Sequence, residues 1–149
     1  MGNPFVHIEL SADDVGAAKK FYKKLFDWKI TDAPEMQYTL IDFGSKTSGG
    51  GMMAKMMPNQ PTAWLPYVEV ASVEKTIAKA AATGASVIVP FQAIGETMGA
   101  IGIFIDPQGA ALGVWEKGKP APKKAAKKKA AKKKAAKKKA AKKKAAKKK

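Results

Sequence analysis

One imidazole, His7, and a carboxylate two positions on, Glu9, lie in the run Phe5-Val6-His7-Ile8-Glu9-Leu10. In an extended strand, residues two apart share a face. This spacing therefore sets a group that titrates near neutrality beside one that can accept a proton. A carboxylate aimed into an apolar cavity has a raised pKa and can act as a base, a reading open to Glu9 and to Glu69. Both equally suit solvated carboxylates near a cavity mouth. His7 is the one histidine of the chain, and three roles stay open for it. It is a partly buried imidazole paired with Glu9, Glu69 or Tyr67, a ligand-contacting or acid–base group, or a metal ligand. Trp64, Tyr67, Trp115, Met52 and Met53 could line a pocket for a flat apolar ligand, or could pack as core. The expected site thus comprises His7 and Glu9 for acid–base work, with Trp64, Tyr67, Glu69, Trp115 and Met53 against a ligand. With no cysteine in 149 residues, disulfide scaffolds, thiolate metal sites and cysteine nucleophiles drop out. Gly49-Gly50-Gly51 lacks the strand-to-helix setting of a phosphate loop and reads as a hairpin or cavity lip.

The elements that must position these groups repeat. Val6, Ile8 and Leu10 alternate with Phe5, His7 and Glu9, a half-buried strand whose apolar side lies under the helices. Ser11, three residues before Asp14, starts a helix on which Val15, Ala18, Phe21, Tyr22, Leu25 and Phe26 recur at helical spacing, with Lys19, Lys20, Lys23 and Lys24 on a solvated side. Trp28–Thr31, Met36–Phe43 and Gly50–Met57 read as strands. In the second half, Trp64–Val70 is a strand, and Ser72 caps a helix carrying Val73, Ile77, Ala80 and Ala81 that Gly84 stops. Ala85–Val89, Met98–Ile105 and Ala111–Trp115 are strands, with Asp106-Pro107-Gln108-Gly109 turning between the last two. Aligning Val15 with Val73 gives an offset of 58, and both halves then read strand, helix and three strands.

With Val6–Leu10, the Phe21-Tyr22 pair followed by Leu25-Phe26-Asp27-Trp28, and Ile105-Asp106-Pro107-Gln108-Gly109 in order on that repeat, the sequence resembles the vicinal oxygen chelate superfamily. This group comprises glyoxalase I, extradiol dioxygenases, and the bleomycin- and fosfomycin-resistance proteins. The resemblance covers about Asn3–Lys117 and implies an α+β fold, two βαβββ modules whose mixed sheet curls around a cavity. It also implies homodimers, and, in metal-using members, a divalent metal held by His and Glu on the first, fourth, fifth and last strands. His7 matches the first of those positions. Met52 or Met53, Leu65 and Gly113 fall at the others and supply no ligand, so one side chain in four remains. The expectation is a small-molecule-binding domain without the usual metal. A lyase, isomerase or dioxygenase of the same group, similar to lactoylglutathione lyase, is the alternative.

Composition adds a second object. Every basic residue is lysine, and 17 of the 28 lie in Lys123–Lys149, a segment of lysine and alanine only, leaving 11 basic against 12 acidic residues before it. Residues 1–117 are thus a near-neutral globular domain, 118–122 a linker and 123–149 a polycationic tail. Its five-residue period spreads lysine around a helical wheel, so no apolar stripe forms, and like-charge repulsion predicts a disordered arm. The tail resembles the lysine-alanine tails of linker histones. Lys123, Lys124, Lys127, Lys128, Lys129, Lys132, Lys133 and Lys134 are expected to grip DNA or RNA phosphates without reading sequence. No apolar run reaches membrane-spanning length and no secretory signal is visible. The location expected from these features is the cytoplasm, near the nucleoid if the tail holds nucleic acid.

Overall fold

The computed structural model describes residues 2–44, 46, 48–95 and 97–118. The linker beyond Gly118 and the tail at 123–149 lie outside these residues. In chain order come β1 (Phe5–Ala12), α1 (Val15–Leu25), β2 (Lys29–Ala33), a 3-10 turn (Pro34–Met36), β3 (Tyr38–Asp42), β4 (Gly49–Ala54), β5 (Ala63–Glu69), α2 (Val73–Ala82), β6 (Ser86–Gly95), β7 (Gly99–Ile105) and β8 (Ala111–Glu116). The strands form one mixed sheet in the order β2-β3-β4-β1-β5-β8-β7-β6. β1 runs parallel to β4 and β5 parallel to β8, each pair closing one βαβββ unit, and antiparallel β1 and β5 join the units edge to edge. The expected repeat is therefore present, with Val15 and Val73 each opening a helix. The sheet stays open, with β2 and β6 as its edges, so the curled sheet is an unclosed one.

Local chemistry explains the boundaries. Ser72 caps α2 by accepting from the Lys75 amide, and the Glu116 carboxylate of β8 takes the Val73 amide at 2.7 Å. That bond ties the helix start, where donors lack intrahelical partners, to the last strand. Gly84 stops α2 as expected. It has φ +98°, its amide bonds to Ala81 and that of Ala85 to Ala80, the paired bonds of a Schellman end. Asp106 builds the final turn, its Oδ1 accepting from the amides of Gln108 and Ala110. The cap of α1 is a correction: Asp14, not Ser11, accepts from the Ala17 amide at 2.9 Å. β1 runs on to Ala12, so Ser11 stays in the strand, buried, and accepts from Gln60 Nε2.

Both helices lie on one face. Under α1 pack Leu10, Ala12, Ile41 and Met52, with Val15, Ala18, Tyr22, Trp28, Ile30 and Trp64 around them. Under α2 pack Val70, Val73, Ile77 and Val114, with Val68, Val87 and Phe104. Burying each large side chain of this kind contributes about 1.5–3 kcal/mol. The apolar periodicity overreached in places. Phe21 and Leu25 of α1 are 57% and 55% exposed, and β4 ends at Ala54, which leaves Met56 and Met57 in an exposed loop. On β1 only Leu10 of the three alternating apolar residues is buried, since α1 lies toward the β4 side of that strand and α2 covers β6, β7 and β8.

Candidate functional site

The opposite, helix-free face carries the chemistry. Strand alternation sets His7 and Glu9 there, because Leu10 and Ala12 turn toward α1. From β5 come Leu65, Tyr67 and Glu69, and from β3 Tyr38, Leu40 and Asp42, whose intervening Thr39 and Ile41 are buried. Tyr38 and Tyr67 lie flat over two glycines. A Cβ on Gly51 would fall within 2.2 Å of the Tyr38 ring, and one on Gly113 within 2.4 Å of the Tyr67 ring. The glycine triplet expected as a lip is in fact the start of β4, in register with His7, Ile8 and Glu9. Its job is to leave room, since Gly50 lies against Phe43 and Gly51 under Tyr38.

Four side chains converge there. Tyr38 donates its hydroxyl to Glu9 Oε2 at 2.9 Å, Tyr67 donates to Glu9 Oε1 at 3.2 Å, and His7 Nε2 lies 2.8 Å from the Tyr38 oxygen. A phenol has one proton, and that of Tyr38 goes to Glu9. His7 therefore donates from Nε2 and, when neutral, keeps an acceptor lone pair on Nδ1. The Tyr67 ring meets the imidazole edge-on at 5.9 Å. Burial lowers the pKa of His7 below its usual value and favours the neutral ring. Burial raises that of Glu9, and the hydrogen bonds from Tyr38 and Tyr67 oppose the rise. Both phenols are pushed up, by burial first and by the Glu9 charge second, so they act as donors.

The Glu9 shift has a sign that can be checked. Between the ordinary glutamate value near 4.5 and the raised folded value, the native protein holds a proton that the unfolded chain releases. Stability is therefore lost as pH rises through that window. Glutamine at this position does not titrate. Denaturation of Glu9→Gln and of the native sequence across this range should show the variant gaining relative stability with rising pH. A variant that instead loses relative stability as pH rises would contradict the burial.

The other expected residues divide between the faces. Trp115 lies on the helix-free face, cross-strand from Glu69 and Ile101, and its indole N–H donates to the Met98 carbonyl at 2.8 Å. Met53 shares that face, since Met52 and Gly50 turn to the core. Trp64 does not. Its indole N–H donates to the Tyr22 hydroxyl at 3.0 Å and its ring packs on Tyr22 and Trp28 beneath α1. The alternation that turns Leu65 and Tyr67 one way turns Trp64 the other. Tyr38 is the residue that sequence reasoning missed, although the Tyr38-Thr39-Leu40-Ile41 alternation carried the signal.

This donor set does not fit the divalent metal that the resemblance implies. The cross-strand neighbours of His7 are Gly49 and Tyr67, Tyr67 is itself beside Gly113, and Met52 is in the core. Among the described residues no group of three His, Asp or Glu is close enough to hold a metal ion. No described helix is long and apolar enough to cross a membrane.

Comparison with known proteins agrees with this architecture. Residues 4–44 match the bleomycin resistance protein-like N-terminal family. The chain is 32% identical over 116 residues to the CFP32 protein of Mycobacterium tuberculosis, assigned as a glyoxylase, covering 73% of this chain and 44% of that protein. The chain thus spans about half the length of the curated relatives it matches. Among solved structures, the BH1468 protein of Bacillus halodurans superposes with TM-score 0.58 at 15% identity, covering 82% of this chain and 99% of that one. A glyoxalase/bleomycin resistance protein/dioxygenase superfamily member from Vibrio splendidus gives 0.51 at 11% identity, over 78% and 99%. At such identities the likeness is one of fold.

Proposed function

Taking as premise a glyoxalase/bleomycin-resistance-like domain, we propose that it binds a small molecule on the helix-free face of its sheet, without the four-ligand metal centre of the metal-using proteins it resembles. The observation that carries this reading is the convergence of His7, Glu9, Tyr38 and Tyr67 at the β1–β5 seam, next to Leu65 and Trp115. A few fixed polar groups with shifted proton affinities, set in an otherwise apolar surface, are what a ligand site requires. Fold alone would not support this, because the same scaffold hosts unrelated activities. The resemblance to that group adds a homodimer to this reading.

The two faces provide the test. A small-molecule library screened by NMR should yield compounds that shift the Trp115 indole and Met53 methyl signals and leave those of Trp64 and Met52 in place. Compounds that shift only the latter pair would overturn the proposed site. Metal analysis after incubation with nickel, manganese, zinc and ferrous iron should find no stoichiometric ion that depends on His7. One ion per chain, lost in His7→Ala, would replace this reading with that of a metal-dependent lyase, isomerase or dioxygenase.

The composition of residues 123–149 supports a second activity, sequence-independent association with DNA or RNA through Lys123 onward. If about ten phosphates are neutralised, log affinity should fall against log salt with a slope near −9. A flat salt response would remove this part of the reading.

A further inference from the structure

The two modules are copies in topology and differ in chemistry on the open face. By the offset of 58, Leu65 stands where the first module has His7, and Tyr67 where it has Glu9. The first module's face is hydrogen-bonding, built from His7, Glu9 and Tyr38. The second module's face is alkyl and aromatic. Gly102 of β7 turns toward Ile77 and Val73 of α2, so Ile101 and Ile103 turn to the open side, in register with Trp115 and Gly113. The floor is therefore polar at one end and apolar at the other.

Charge is segregated as well. α1 carries Lys19, Lys20, Lys23 and Lys24, and α2 carries Lys75 and Lys79. Among the eight strands only β2 bears a lysine, Lys29, and it sits directly across from Asp42 at the sheet edge. The carboxylates of the open face are Glu9, Asp42 and Glu69. Glu9 has both oxygens taken by phenols, and Asp42 caps the Gly44 amide. Glu69 is the exception: among the described residues, no hydrogen bond or ion pair reaches its side chain. Its cross-strand neighbour is Trp115, whose indole N–H is already committed to Met98. Directly opposed residues on one sheet face stand about 5 Å apart. An unpaired carboxylate thus lies beside an indole ring, with Ile101 next along the same row.

We infer that the ligand of this face is a flat apolar organic cation, its charged nitrogen at Glu69 beside Trp115 and its rings across Ile101 and Ile103 toward His7. The inference rests on the small-molecule reading above and goes beyond it in naming the class. A carboxylate and an indole face together favour a cation, the one by charge and the other through its ring quadrupole. Lys29 offsets Asp42 at the sheet edge, but an anion farther along the face would meet Glu9 and Glu69, where neutral His7 offers no counter-charge. A second copy of this chain is the competing occupant. Two-fold packing of this face against itself would bury the unpaired Glu69 carboxylates of both copies in one interface, with Lys29 at the edge strand as the one strand lysine to answer them, which disfavours it.

The full-length chain can be titrated with three acridines of one shape, with the Trp115 indole signal as readout so that events at the lysine tail are not counted. At pH 7, 9-aminoacridine is a cation, acridine is neutral and acridine-9-carboxylate is an anion. The cation should bind at least tenfold tighter than acridine, and the anion should not displace it. Glu69→Gln, at a partly exposed position, should bring the cation and acridine to within threefold of each other. Trp115→Phe should retain part of the cation's affinity, followed through the Ile101 and Ile103 methyl signals. If acridine binds as tightly as the cation, or Glu69→Gln leaves the preference intact, the cation assignment is wrong while the ligand face stands. If sedimentation shows a dimer and no compound of any charge reaches Trp115, both the assignment and the ligand face fall.

Discussion

Met52→Ala should cost about 2–5 kcal/mol of stability, the largest loss expected from any single methionine in the chain. Met52 is fully buried on β4, packed with Leu10, Ala12 and Ile41 under α1. Truncation leaves a cavity that the opposed sheet and helix can only partly close. Urea denaturation should show a lower midpoint with an unchanged slope, because the surface exposed on unfolding stays almost the same. Met53→Ala is the control. Its side chain turns to the open face and is half-buried, so its loss should be a fraction as large. The two adjacent methionines thus separate by face: one holds the first module together and the other borders the site. A Met52 effect no larger than that of Met53 would mean that β4 is in the other register, which would also move Gly51 from beneath Tyr38.

That pair also shows what the sequence could reveal. Two βαβββ units, both helices, the Gly84 stop and the Asp106–Gly109 turn were legible because each rests on a local signal: hydrophobic period, a cap, a glycine at positive φ. Strand alternation alone put His7 and Glu9 on one face of β1, and the same rule read along β5 and β8 brings Tyr67, Glu69 and Trp115 to it. Trp64 was expected among the ligand contacts or in the core, and alternation along β5, which turns Leu65 and Tyr67 to the open face, turns it to the covered one. The Trp64 indole instead bonds the Tyr22 hydroxyl, 42 residues away, a pairing that no local pattern encodes. Tyr38 was hidden for a related reason. It joins Glu9 across Gly51, and the glycine gives no sign of which ring will lie over it. The helix face misled in the other direction. Phe21 and Leu25 fit the apolar period of α1, yet that helix meets the sheet through Val15, Ala18 and Tyr22. Period identifies a stripe, and the width actually buried depends on the partner.

Gly113→Ala should cost about 1–3 kcal/mol and dismantle half of the Glu9 cluster. The backbone at Gly113 needs no glycine for its φ, so the whole effect comes from space. A new Cβ would stand 2.3 Å from Tyr67 Cδ1 and 2.4 Å from Cε1. Tyr67 is 3% exposed and held from three directions: its backbone pairs with both His7 and Gly113, and its hydroxyl bonds Glu9. The ring must leave its place or the strands must part. If the ring leaves, Glu9 loses one of the two hydrogen bonds that oppose the effect of its burial, and its pKa rises further. The pH window over which Glu9→Gln gains relative stability should then extend upward in the Gly113→Ala background, which simple strand loosening would not produce. A double-mutant cycle isolates the cause. Tyr67→Ala removes the ring and is costly by itself, but adding Gly113→Ala to it should cost almost nothing, giving a coupling of about 1–3 kcal/mol between two positions that share one volume. Additive costs would show that Tyr67 does not lie over Gly113. The hydrogen bond to Glu9, and with it the arrangement of the candidate site, would then have to be redrawn.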